Sequence, residues 1–186
     1  MFGSATWLFG KAFRIRYLNS NNIRFHEELR VHEDSYFLSL AMAYTDKVRK
    51  ITAGVTYLWR YNGKSMTRRN DGIYAYEQAV QFINAVDLSF IRISRDNPSQ
   101  MPYKTVQFTM YNYFSMHTPE WMADDKKEYR DKAEMAFAQM LQKYAQYYEN
   151  APDDFIRGVY NEERAKMFSL GIETETFYDW FKRITS

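Results

Sequence analysis

The sequence predicts a mainly α protein with a small mixed α/β N-terminal part. Three observations lead there. Beyond residue 70, apolar side chains recur at helical spacing, most clearly at Phe137, Met140, Leu141, Tyr144 and Tyr148. Before it, β-favouring residues and turn residues alternate over short stretches, enough for two or three short strands that need helices to cover them. Hydrophobic residues make up 46% and aromatics 18% of the 186 residues, which excludes a disordered composition. A chain of this length buries about 70% of its unfolded surface, enough for a core. The change of character near residue 70 divides it into an N-terminal segment, 1–70, and a helical domain, 71–186.

The elements follow in order. Trp7, Phe9 and Phe13 begin a short helix, and Asn19-Ser20-Asn21-Asn22 reads as a turn, since asparagine tolerates left-handed backbone. Ile23 and Phe25 alternate with polar residues, as a short extended piece does. Ser35 to Tyr44 is apolar nearly all round and reads as a buried helix. Lys50 to Tyr61 favours a strand, with a bend at Gly54, and Asn62-Gly63 is a turn. Tyr76, Ala79, Val80, Ile83, Val86 and Phe90 mark a helix that Asp96-Asn97-Pro98-Ser99 interrupts. An aromatic segment from Pro102 to Met116 follows, then the long helix through Phe137 and Tyr148, ended by Asn150-Ala151-Pro152. Further helices are expected at Asp153–Ser169 and Thr174–Ile184, with Gly171 as a C-cap between them. The helical part is thus a bundle of about five helices.

Composition limits the chemistry. The chain has no cysteine, which excludes disulfides and Cys-based zinc sites, and its three histidines are scattered. No apolar stretch approaches the length of a membrane span and no apolar leader opens the chain, so a soluble cytoplasmic protein is expected. Residues 1–70 hold 12 Lys/Arg against 5 Asp/Glu, while the remainder holds 13 against 18. The basic first third suits either an anionic ligand or an ordinary solvated surface. The net charge of +2 and the lack of any nucleic-acid motif argue against a nucleic-acid partner.

The candidate functional residues lie in that basic third. In RVHEDSYF, Glu33 and Asp34 stand directly ahead of an apolar run. Acids there cap free N–H groups and suit the helix dipole; equally, a carboxylate can take a proton from an attacking hydroxyl. His32 is either a helix-cap residue or an acceptor contact. Arg60 and the NGKSMTRR stretch, with Asn62, Ser65 and Arg68, form either a basic surface loop or a phosphate-binding rim. Trp59 either belongs to the core or stacks on a sugar ring.

The order of these pieces resembles the acceptor half of the family 2 glycosyltransferases of the GT-A fold. The resemblance runs through Lys11 to Arg16, Leu18 to Phe25, Glu33-Asp34, Lys50-Ile51, Tyr57 to Arg60, and Asn62, Ser65 and Thr67, about residues 6–69. It implies a truncated GT-A-like segment followed by a helical bundle. It also implies that Asp34 is the general base on the acceptor hydroxyl, that Glu33 orients it or holds the acceptor, and that Arg60 to Arg68 sit near the donor phosphates or the rim of the site. Substrates would be a nucleotide sugar and a hydroxyl acceptor.

The resemblance lacks the nucleotide-binding half and its Asp-x-Asp motif. Asp124-Asp125 and Asp153-Asp154 precede helices and read as caps, and no Gly-rich phosphate loop is present. No cofactor is therefore expected in this chain, with a divalent metal, Mn or Mg, expected in a complete enzyme. The expectation is a C-terminal portion of a transferase that works with a partner chain or as a homo-oligomer. The alternative is a non-catalytic helical interaction or glycan-binding module derived from one.

Overall fold

The computed structural model describes residues 8, 10–45, 47–49, 60, 73–118, 121–122 and 124–167. They form six α-helices: α1 (Ile15–Ser20), α2 (Glu33–Ala43), α3 (Tyr74–Asp96), α4 (Met101–Ser115), α5 (Lys127–Glu149) and α6 (Asp153–Met167). No strand occurs among the described residues. The mainly helical expectation holds. The strand expected at Lys50–Tyr61, the turn at Asn62-Gly63, the Gly171 cap and the Thr174–Ile184 helix lie outside the described residues, except for Arg60.

The chain first turns where asparagine allows it. α1 runs through Ser20, so the turn is carried by Asn21 and Asn22, and Asn22 takes the left-handed backbone expected of that run, with φ 48°. Ile23 then donates its N–H to the Leu18 carbonyl at 2.8 Å. The segment buries Ile23 but exposes both Arg24 and Phe25, so it does not alternate as expected. It joins no sheet among the described residues.

Helices α2 to α5 build the core, with α6 laid against α4. α3 packs against α2 on one side and α5 on another, and α4 lies against α5 and α6. α2 is buried on nearly every face, through Tyr36, Phe37, Leu38, Leu40, Ala41 and Ala43. That is what an apolar helix without a polar stripe must do. α5 is its opposite, an amphipathic helix that buries Phe137, Met140, Leu141, Tyr144 and Tyr148, the five residues whose spacing defined it. Phe90 of α3 joins the layers, edge-on to Phe108 of α4 at 5.8 Å and to Tyr144 of α5 at 5.2 Å. One cluster of buried residues contains Ile23, Phe37 and Leu40 together with Phe90, Phe108 and Phe137, so the core includes residues from both sides of position 70.

Polar ties hold the layers in register. The Tyr144 hydroxyl donates to Asp87 Oδ1 at 2.7 Å, and Lys143 Nζ donates to the same carboxylate at 2.8 Å, joining α5 to α3. The Tyr76 hydroxyl donates to the Trp121 carbonyl at 2.7 Å, anchoring the segment before α5 on the start of α3. Asp96-Asn97-Pro98 ends α3 as expected, and a short 3-10 turn, Pro98–Gln100, leads into α4.

Candidate functional site

Glu33 and Asp34 open α2, as the sequence suggested. The turn before them is unusual. His32 is the N-cap residue and adopts the left-handed conformation, φ 61°, without making a side-chain cap. Histidine is among the few residues enriched there. One free N–H of the first turn is served by Asp34, whose Oδ1 accepts from the Ser35 N–H at 2.7 Å and more weakly from Ser35 Oγ at 3.5 Å. Asp34 therefore behaves as a first-turn acid, with its second carboxylate oxygen unused in these bonds.

Lys11, His32 and Glu33 surround Asp34. Burial lowers the pKa of Lys11, and the Asp34 charge opposes that, so the two side chains lie within electrostatic reach. His32 is pulled below its ordinary value by burial, opposed chiefly by Asp34, then by Gln78 and Glu33. Its ring stands against Phe82 of α3 at 5.4 Å, and its Nδ1 lies 3.5 Å from Ser35 Oγ. The other ring nitrogen, Nε2, is buried without a hydrogen-bond partner among the described residues. Glu33, Asp34 and His32 are each half-buried.

The structure thus brings together Glu33, Asp34 and His32, and adds Lys11, Gln78 and Phe82, which sequence reasoning did not select. Arg60 is exposed. Trp59, Asn62, Ser65 and Arg68 lie outside the described residues.

Two cavities open elsewhere on the surface. The smaller, about 430 Å³, lies beside His26, Glu27, Tyr36 and Arg92. The larger, about 800 Å³, is lined by residues of α1, the end of α2, the α3–α4 junction, α4 and α6, among them Lys104. Neither is lined by Glu33, Asp34 or His32. Among the described residues no three His, Asp or Glu side chains converge as metal ligands would, and no helix is long and apolar enough to cross a membrane.

Lys104 is the residue that sequence reasoning missed. A readable sign existed: it is the one charged side chain in α4, MPYKTVQFTMYNYFS. It is only partly exposed, and burial pulls its pKa down to about 8. No family model, curated protein or solved structure matches this chain.

Proposed function

We propose that the chain is the acceptor-side, C-terminal portion of a family 2 glycosyltransferase, acting with a donor-binding half supplied separately. The observation that carries this reading is Asp34, a half-buried carboxylate opening a buried helix, with Lys11 and His32 within electrostatic reach. It stands in the ordered run of segments that resembles that family. One carboxylate oxygen accepts from the Ser35 N–H and fixes the group; the other is available to take a proton from an acceptor hydroxyl. The hydroxyl oxygen attacks the anomeric carbon, the bond to the nucleoside diphosphate breaks, and the proton passes to Asp34. Glu33 orients the acceptor. Arg60 and the stretch through Asn62, Ser65 and Arg68 serve the donor phosphates, with Trp59 against the sugar and His32 at the acceptor. The divalent metal belongs to the donor half.

The test is nucleoside diphosphate release from a panel of nucleotide sugars, with Mn²⁺, by the chain co-expressed with its donor half. Asp34→Asn lowers kcat by roughly 10²–10⁴-fold while circular dichroism stays unchanged. Normal turnover by that variant removes Asp34 as the base.

A second reading has its own observation. Asp34 lines neither cavity, which suits a non-catalytic helical interaction or glycan-binding module. In that case calorimetry on the isolated chain detects no nucleotide sugar, with or without Mn²⁺, and micromolar binding would count against it.

A further inference from the structure

The larger cavity is braced on three sides. The Tyr17 hydroxyl donates to the Ala41 carbonyl at 2.6 Å, tying α1 to α2. Asn97 Nδ2 donates to the Ala43 carbonyl at 2.8 Å, tying the α3–α4 junction to the end of α2. The Tyr103 ring of α4 stands edge-on to Phe155 of α6 at 4.8 Å. A hollow held by bonds between its walls is a built feature. Its volume of about 800 Å³ lies within the roughly 300–1,000 Å³ common for ligand sites.

Its charge is one-sided. The described lining residues include Lys47 and Lys104 and no carboxylate. Lys104 makes no ion pair or hydrogen bond among the described residues, and burial is the one cause acting on its pKa. A nearby acid, Asp96, is already engaged: it accepts from Arg95 Nε at 2.7 Å and from the Tyr44 hydroxyl at 3.0 Å. A partly buried cation with no counter-charge is costly, and proteins ordinarily pair such a group. The remaining walls are mainly aromatic and amide side chains, with Met42, Ala43 and Thr45 between them, and such walls accommodate a ring and its polar substituents.

We propose that this cavity binds a small organic anion, a carboxylate or phosphate carried on a ring-sized body, with Lys104 as its counter-charge and Tyr17, Tyr44 and Tyr103 against the ring. This stands independently of the transferase reading, because it uses none of Glu33, Asp34 or the Arg60–Arg68 stretch.

The experiment is a calorimetric and NMR titration of the full chain with four probes: phenyl phosphate, benzoate, inorganic phosphate and benzyl alcohol. One or both aromatic anions bind saturably and move the Lys104 side-chain resonances, and which one binds better separates phosphate from carboxylate recognition. Benzyl alcohol binds at least roughly tenfold more weakly, since a hydrogen bond to a charged group is worth that much. Inorganic phosphate alone binds more weakly than phenyl phosphate. Lys104→Met loses roughly tenfold or more in affinity for the anion, and Lys104→Arg retains most of it. Equal binding of benzyl alcohol, unchanged affinity in Lys104→Met, or no binding of either aromatic anion overturns the proposal. Should Lys104→Met fail to fold, the anion-against-alcohol comparison and the Lys104 resonances of the unaltered chain decide it.

Discussion

Asp34 and Lys104 are opposite charges in opposite situations. Asp34 opens a helix, accepts a backbone N–H at 2.7 Å, and has Lys11 and His32 within electrostatic reach. It has company and lines neither of the two cavities. Lys104 lines a cavity of about 800 Å³ and has no acid to pair with among the described residues. It has space and no company. Segment order and electrostatics therefore single out different places in this molecule. Order and spacing of segments mark Asp34, a charge the fold has already accommodated. Electrostatic deficit marks Lys104, a charge that no motif announces.

The largest test asks whether the two regions belong to one cooperative body. Phe90 is 1% exposed and sits between Phe108 and Tyr144, in the cluster that also holds Phe37 and Leu40 of α2. Phe90→Ala should cost about 3–5 kcal/mol, from lost burial and an unfilled cavity. Amides of α2 and α4 should lose hydrogen-exchange protection together. Protection retained in α2 alone would separate the Asp34 region from the Lys104 region and break the comparison.

A smaller effect sharpens the contrast through pH. Burial lowers the Lys104 pKa from 10.5 to about 8, so between those values the unfolded chain binds more protons than the folded one. Stability therefore rises with pH from about 8 toward 10. Tyr17 runs the other way: burial raises it to about 12, as burial also raises Tyr144 and Tyr148. Their contribution is complete below the ordinary tyrosine value near 10 and is lost above it as the unfolded chain ionises first. Urea denaturation across pH 7–11 should show a rise and then a fall, and Lys104→Met should flatten the rise while leaving the fall. A rise that survives in Lys104→Met would assign it to another group.

The smallest effect concerns the edge of the cavity. Arg95 holds the Asp96 carboxyl down to about 2, against burial and with help from Tyr44. The contribution is present above the ordinary carboxylate value and is lost as pH falls from about 4 to 2. Because the site is exposed, Asp96→Asn should cost less than about 1 kcal/mol, read as a small drop in urea midpoint at neutral pH.

Much of the helical architecture was legible. α5 carries its five periodic residues on one buried face, and Asn150-Ala151-Pro152 ends it. α2 was recognisable because an apolar run without a polar stripe has to be covered, although it begins two residues earlier than expected, at Glu33. The Ile23–Phe25 pattern suggests a short extended piece, yet Phe25 is exposed and no strand forms there among the described residues. A strand needs a partner, and alternation alone does not provide one. The charge pair at the start of α2 was equally readable, but its exclusion from both cavities was not.

Periodicity and turn residues are properties of single segments, so they set most of the helical segments though not every end: α1 begins at Ile15, past Phe13, and α2 at Glu33; the lack of cysteine likewise rules out thiol chemistry. Whether Lys104 faces water or a cavity depends on how α1, α2, α4 and α6 close around it. That closure is carried by Tyr17 to Ala41, Asn97 to Ala43 and Tyr103 against Phe155, contacts between segments distant in sequence. The cost of a charge is set by what surrounds it in space, and those surroundings come from segments far apart in the chain.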